Sequence, residues 1–339
     1  MATIRDVAKE AGVSIGTVSR AFNEYQDINP ETKEKVLLAA KRLGYIPNVN
    51  AKSLSSKSSN CMGFIVSGFM DSDRRVPFIM SMLKGTYRYA TEHQLEVSLY
   101  TLDAEQQKTK SYKQFCIQHS LMGAVFSGVE TNDVYFHQLV EAGFPCVMID
   151  AYVRGNGLGC VSIDNVKAAE ELVDYLVAAG HRKIVIVEGK KEAEVSNYRL
   201  AGIYAAFSKH RLELTKDDII TGEFRETIAY NRVKQYLMEH GKNGATAFLC
   251  FSDVMALGVM RAVNDLGYSV PDDFSVTGFD DIPIAGYTTP KLTTIQQDME
   301  EVGYRAAELL QELIKNPDRT KSVYVPYQFI ERNSVKKLG

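Results

Sequence analysis

The chain has 339 residues, 45% of them apolar and 24% charged, with a formal net charge of −3; this is the balance of a globular protein too long for one ordinary core. No apolar run reaches eighteen residues, and the first residues lack the basic flank and apolar stretch of a secretory leader, so neither a membrane span nor an export signal is expected. The five cysteines are odd in number, scattered and without a C-x-x-C pair, which points to small buried thiols in a reducing cytoplasm and away from disulfides or a metal site.

Charge is unevenly spread. Residues 1–59 hold nine Lys/Arg against six Asp/Glu, while the remaining 280 residues hold 30 against 36. A basic head on an acidic body suggests a head that meets nucleic acid. In that head, Thr3 and Asp6 form an N-cap pair before Ile4, Val7, Ala8 and Ala11, which recur at helical spacing. Gly12 closes this helix with a left-handed turn residue, and Ser14 caps the next, whose buried face is marked by Ile15, Val18 and Phe22. Asn29-Pro30 opens a third helix with the stripe Val36, Ala40 and Leu43, ended by Gly44. Three short helices with a tight turn between the first two predict a helix-turn-helix bundle. The second helix exposes Ser14, Gly16, Thr17, Ser19, Arg20 and Asn23, small and polar residues that suit a major groove; a three-helix bundle that binds protein is the competing reading. After it, Asn48 can cap a helix of about two turns, too short to stand alone in water, followed by the polar linker SSKSSN.

These residues carry a resemblance. TIRDVAKEAGVSIGTVSRAFN, with NPETKEKVLLAAKRLGYIPNVNAKSL after it, resembles the head and hinge of the LacI/GalR family of bacterial transcription regulators. The resemblance implies that Ile15, Gly16 and Arg20 face bases and that Thr3, Ser14, Thr17, Ser19 and Asn23 contact the DNA, mostly at phosphates. It further implies that Leu54 is the hinge leucine that wedges into a minor-groove base step, with Asn48 and Lys52 beside it. Gly16 has no side chain where many relatives carry a hydrogen-bonding residue, so base reading by this helix is expected to be thinner.

The body alternates apolar runs (MGFIVSGF, LEVSLYTL, GAVFSG, CVMID, KIVIVEG, TAFLCF and FSVTGFD) with helical patterns around 77–93, 165–180, 197–211 and 252–267. Such alternation predicts parallel sheets covered by helices on both faces, and 280 residues favour two α/β subdomains over one. Ligands of such sheets bind at the carboxyl ends of the strands. Polar or aromatic residues stand there: Asp150 after CVMID, Asp164 and Asn165 at the end of GCVSIDN, Ser252 and Asp253 after AFLCF, Asp280 and Asp281 after FSVTGF, Gln297 after LTTIQ, Arg199 after a polar turn, and Phe224 after IITGE. Singly, each has a plainer explanation. Asp253 suits a helix cap, Arg199 a solvated helix charge, and Phe78 and Phe224 the core. Together they supply acceptors, one guanidinium and two aromatic plates, the inventory for a polyol.

The resemblance extends through FSDVMALGVMRAVNDLGYSVPDDFSVTGFDD and PKLTTIQQD to the effector-binding core of the same family, similar in fold to periplasmic sugar-binding proteins. It implies an effector set of Phe78, Asp150, Arg199, Phe224, Ser252, Asp253, Asp280 and Gln297. Ser252 stands where some sugar-binding relatives carry asparagine, and 69–78 departs from the commoner pattern at the cleft wall. The expected layout is a helix-turn-helix domain at 1–46 and a hinge helix and linker at 47–60. An N-terminal effector subdomain follows at 61–163 plus 296–325, and a C-terminal one at 164–295 plus 326–339. The glycines of 155–159 lack G-x-G-x-x-G spacing and do not lead from a strand into a helix; no P-loop, zinc signature or nucleophile elbow occurs. The expectation is therefore a non-enzymatic cytoplasmic homodimer, without cofactor or metal. It binds a pseudo-palindromic double-stranded operator as a repressor under control of a small carbohydrate effector. The alternative is a solute-binding or sugar-modifying protein with an incidental helical head; export and catalytic motifs, which it needs, are not visible.

Overall fold

The structure, a computed structural model, describes residues 3–22, 28–43, 60–67, 76–102 and 104–338, without the side chains of 76, 104 and 140–142. The chain divides into two compact units, residues 1–59 and 60–339.

The first unit contains α1 (Ile4–Ala11), α2 (Ile15–Phe22) and α3 (Pro30–Leu43). Local chemistry sets each start. The Asp6 amide donates to Thr3 Oγ1 while the Thr3 amide donates back to the Asp6 carboxylate at 2.8 Å, a reciprocal capping box. The Thr17 amide donates to Ser14 Oγ at 3.1 Å, and the Glu31 amide to Asn29 Oδ1 at 2.9 Å. Each such cap is worth about 1 kcal/mol. Gly12 ends α1 at φ +67°. Val7, Ala8, Val18, Ala21, Val36, Ala39 and Ala40 form the core. Two periodicity assignments are corrected. Ile15 is 45% exposed and Leu43 37% exposed, so neither belongs to the buried stripe. Both sit at a helix end, where the small core of three short helices has run out.

The second unit is built on two parallel sheets. In the first, β1 (Cys61–Ser67), β2 (Glu96–Leu102), β3 (Leu121–Ser127), β4 (Cys146–Ile149), β5 (Leu158–Ser162) and β11 (Lys321–Tyr324) lie in the order β11-β5-β4-β3-β1-β2. The second has β6 (Ile184–Glu188), β7 (Ile219–Thr221), β8 (Ala247–Cys250) and β9 (Ser275–Thr277) in the order β7-β6-β8-β9. The strands β4, β5, β6 and β8 are buried at every residue, the mark of a sheet covered on both faces. All seven apolar runs expected to form strands do so. With the first sheet go α4 (Val76–Glu92), α5 (Ala104–Thr109), α6 (Tyr112–Gln118), α7 (Val134–Ala142) and α12 (Met299–Lys315). With the second go α8 (Asn165–Ala178), α9 (Glu194–Lys209), α10 (Glu226–His240) and α11 (Asp253–Asp265).

The chain passes between the sheets three times: after β5, between β10 (Thr294–Gln297) and α12, and between β11 and β12 (Tyr327–Ile330). β10 and β12 pair antiparallel with each other. The glycine-rich stretch 155–159 leads into β5 rather than from a strand into a helix, as expected.

Candidate ligand cleft and nucleic-acid interface

The carboxyl ends of both sheets border one cavity, about 1050 Å³ counting the open solvent at its mouth. Of the eight residues singled out from the sequence, six line it: Phe78, Asp150, Arg199, Phe224, Ser252 and Asp280. Gln297 lines an adjoining cavity that shares Phe78 and Asp280 with the first. Asp253 lines neither.

Arg199 is not a solvated helix charge. It lies in the second turn of α9, 3% exposed, rather than at the helix start. Its Nε donates to Asn165 Oδ1 at 2.9 Å, its Nη1 donates to the Phe251 carbonyl, and its guanidinium stacks 3.6 Å from the centre of the Phe279 ring. Burial pulls its pKa down, and the field of Asp280, Asp150 and Asp253 pulls it back up. A relay fixes Arg199 to the other sheet. Asn165 Nδ2 donates to Ser162 Oγ at 2.9 Å, and Ser162 Oγ donates to Asp150 Oδ1 at 2.6 Å. Burial raises the Asp150 carboxyl, while the Ser162 hydroxyl and Arg199 oppose the rise. The arrangement holds one cation and facing carboxylates in fixed orientation, able to grip adjacent hydroxyls from both sides.

Backbone strain collects at the same place. Asp150 (φ +60°), Phe224 (φ +55°) and Asp280 (φ +116°) are non-glycine residues in conformations that L side chains rarely adopt. Phe224 lies over the end of β6 because residue 189 is glycine: a Cβ there would meet the Phe224 ring at 2.1 Å.

Asp253 departs from expectation in a physically clear way. It is fully buried behind the cavity wall, and Ser252 is the residue that caps α11. Its Oδ2 accepts the Ile282 amide at 2.8 Å and its Oδ1 the Thr294 hydroxyl at 2.6 Å, which ties α11 to the loop after β9 and to β10. Burial, with Asp280 and Asp281 adding to it, holds its carboxyl well above the usual carboxylate range. The folded state thus binds this proton more tightly than the unfolded chain, so the contribution to stability is lost as pH rises through the folded pKa. Asp253→Asn is expected to flatten the stability-versus-pH curve upward from the ordinary aspartate pKa of about 3.9. Urea unfolding at a series of pH values checks this; parallel curves for parent and variant would contradict it.

Gln297 Nε2 donates to Asp280 Oδ1 at 2.7 Å, and Gln297 Oε1 is buried with no partner among the described residues. Several cleft residues were not found from the sequence. Ser162 carries the relay together with Asn165, which the sequence marked only as a strand-end residue, and Glu130, Lys190 and Glu194 line the cavity. Their one signal was position, directly after strand ends or at a crossing between sheets. Among the described residues, no group of three His, Cys, Asp or Glu side chains is placed to hold a metal ion, and no helix is long and apolar enough to cross a membrane.

On the first unit, Ser14, Ile15, Gly16 and Arg20 are exposed along α2, while Thr17 and Ser19 are half-buried. Ser14 Oγ and Thr17 Oγ1 are 2.9 Å apart. A Cβ at Gly16 would touch only Ser14 Oγ, at 3.6 Å, so nothing in the unit itself requires glycine there. Thr3 is exposed, with its hydroxyl donating to Asp6. Asn23, Asn48, Lys52 and Leu54 lie outside the described residues.

Known families match both units. The family described as bacterial regulatory proteins, lacI family, matches residues 3–48, and the periplasmic binding protein-like domain matches residues 173–335. The HTH-type transcriptional repressor PurR of Vibrio parahaemolyticus is 32% identical over 343 residues, covering all of both chains. The chain belongs to the LacI family. Among solved structures, this LacI-family chain is similar to the lac repressor dimer bound to operator and the anti-inducer ONPF, with a TM-score of 0.84 at 25% identity over 99% of each chain. It is also similar to the transcriptional regulator CelR–cellobiose complex, with a TM-score of 0.75 at 25% identity over 98% of this chain and 100% of that one. The helix-turn-helix head and the two-subdomain periplasmic-binding-protein fold are thus those of LacI-family regulators, and the curated relatives are transcriptional regulators rather than enzymes.

Proposed function

We propose that this LacI-family regulator is a cytoplasmic homodimeric repressor whose hold on a pseudo-palindromic operator is set by a polyhydroxylated, sugar-like effector in the cleft. The observation that carries the effector half is the convergence of Arg199, Asp150 and Asp280 with the rings of Phe78 and Phe224 on one cavity between two sheets. Carboxylates accept from adjacent hydroxyls, the guanidinium donates, and aromatic faces cover apolar C–H groups. Gln297 Oε1, without a partner among the described residues, can accept a hydrogen bond at the Asp280 end, as a hydroxyl supplies. Ser252 completes the set, and Asp253 braces it from behind. The resemblance to a cellobiose complex and to an operator-bound dimer supports the same reading. The crossings after Ser162, near Asp298 and near Val325 support subdomain boundaries close to 163, 296 and 325.

For the head, α2 presents Ile15, Gly16 and Arg20 to bases, with Thr3, Ser14, Thr17, Ser19 and Asn23 on phosphates. Leu54, beside Asn48 and Lys52, is the hinge wedge. Two-fold pairing of the chain yields a pseudo-palindromic target. Enrichment of such a sequence from a randomised duplex pool tests the operator half, and no enrichment would contradict it. A thermal-shift screen of sugars, sugar phosphates and purines tests the effector half. A ligand at about 100 times its Kd adds about 2.7 kcal/mol, and a screen in which only non-sugars shift the protein would overturn the sugar assignment.

Arg20→Ala is expected to cost about 1–3 kcal/mol on the enriched duplex and to relax its sequence preference. A scrambled duplex measured beside it separates base reading from phosphate contact. An equal loss on both duplexes would move Arg20 from bases to phosphate.

A further inference from the structure

Besides the Asn165–Ser162 relay, three contacts among the described residues join the two sheets' ends across the cleft from one short segment, residues 190–194, between β6 and the first turn of α9. Lys190 Nζ pairs with Glu130 Oε1 at 2.7 Å. The Thr131 amide donates to the Glu192 carbonyl at 2.8 Å. The Tyr152 amide donates to the Glu194 carboxylate. Glu130 and Thr131 follow β3, and Tyr152 follows β4, so one side of every contact belongs to the first sheet and the other to the second. None of these residues lies in the segments that carry the chain between sheets, and in the sheet order β3 stands two strands from β5, where the first crossing leaves. At about 4.8 Å per strand, the contacts act at a distance from the crossings, where a small rotation of one sheet against the other separates them.

We infer that Glu130 and Lys190 are a latch, a pair of positioning residues that hold the cleft closed before any effector arrives and so set how much of the protein is ready to bind it. The ion pair is the one side-chain-to-side-chain contact of the three. Its side chains are 32% and 27% exposed, so water screens it only in part. Both residues also line the cavity. Apparent affinity scales with the fraction in the binding-competent form. A weaker latch therefore lowers effector affinity through that fraction. That consequence rests on the cleft being the effector site; the latch itself does not.

The test needs no ligand. Hydrogen exchange of the full chain at single-amide resolution reads closure directly, because the Thr131 and Tyr152 amides are bonded across the cleft. Lys190→Ala is expected to speed exchange at both amides by up to about fivefold, the range of one partly exposed ion pair. Val125 and Phe126 in the middle of β3 should be unchanged. Glu130→Gln should do the same, which guards against a fold defect peculiar to one variant. The charge-exchanged pair, Glu130→Lys with Lys190→Glu, should restore slow exchange, which a mere loss of packing would not allow. Unchanged exchange at Thr131 and Tyr152 in both single variants, or no recovery in the exchanged pair, overturns the latch. Restored exchange in a protein that no sugar shifts would leave the latch standing and remove the effector assignment instead.

Discussion

Arg199→Ala is expected to abolish the ligand-induced thermal shift and to destabilise the second unit by about 3–5 kcal/mol, the cost of removing one member of a buried charged network. The loss has two parts. Asn165 Oδ1 and the Phe251 carbonyl lose their donors, and Asp150, Asp253 and Asp280 lose the cation whose field they share. Arg199→Lys separates positioning from charge. It keeps the cation but not the planar fork that reaches two acceptors at once, so it should recover part of the stability and little of the ligand response. Asp280→Asn complements it. The amide oxygen can still accept from Gln297 Nε2, but the buried Arg199 loses the carboxylate that opposes its desolvation most, so stability should fall in part, by less than in Arg199→Ala, while the ligand response should weaken by roughly 1.5–3 kcal/mol with the loss of a charge-assisted bond. Operator binding without ligand should survive in all three, because neither residue belongs to the first unit. Urea unfolding with and without the best ligand of the screen, beside an operator-binding curve, decides the matter. A full ligand-induced shift in Arg199→Ala would remove it from the ligand site and leave it a structural residue.

How much of this was legible from sequence differs by level. Strands such as KIVIVEG and TAFLCF are continuous apolar runs bounded by polar residues, so the backbone pattern alone placed β6 and β8. Caps were equally readable, because Thr3 with Asp6 and Asn29 before Pro30 act within four residues. Helix faces were less so. Ile15 falls at the right spacing for burial, yet it is exposed, since spacing cannot tell where a small core ends. The cleft was legible as a set of strand ends, and six of its eight named residues line one cavity. Asp253 failed because a carboxylate at a strand end can face either the cavity or the interior, and only the placement of Ile282 and Thr294 decides which. The Lys190–Glu130 pair joins residues sixty positions apart through two loops of no particular composition. Such a contact exists only once both sheets are placed, so no local signal could carry it.

Gly303→Ala is expected to be, with Gly85→Ala, among the most damaging methyl groups that can be added to the first sheet's covering helices. In α12, Gly303 lies against α4 so closely that a Cβ would stand 1.8 Å from the Met82 carbonyl oxygen. Gly85 on α4 is its counterpart, with a Cβ placed 1.8 Å from the Glu300 carbonyl oxygen. The neighbours in both cases are backbone, so no rotamer change relieves the clash. Thr86 Oγ1 tightens the crossing by donating at 3.1 Å to the Gly303 carbonyl, alongside its own-helix partner Met82. Glycine inside a helix ordinarily costs about 1 kcal/mol relative to alanine, so alanine would be preferred at both positions if the helices stood further apart. Overpacking usually costs about 1–3 kcal/mol, and a contact this short against main chain should reach the upper end or exceed it, net of alanine's helix advantage. The cross-helix pairs of Lys84 and Arg88 with Glu300, and of Arg88 with Glu301, cannot compensate, since partly exposed ion pairs of this kind are worth at most about 1 kcal/mol each and a forced separation of the helices would stretch them. Gly286→Ala is the control: a Cβ there meets nothing within 4 Å, and its effect should stay within about 0.5 kcal/mol. Damage at Gly303 should also reach the cleft, because α4 carries Phe78 on the cavity wall. A Gly303→Ala variant with parental stability in urea would mean that α4 and α12 can separate at little cost, and that Phe78 is held by something other than this crossing.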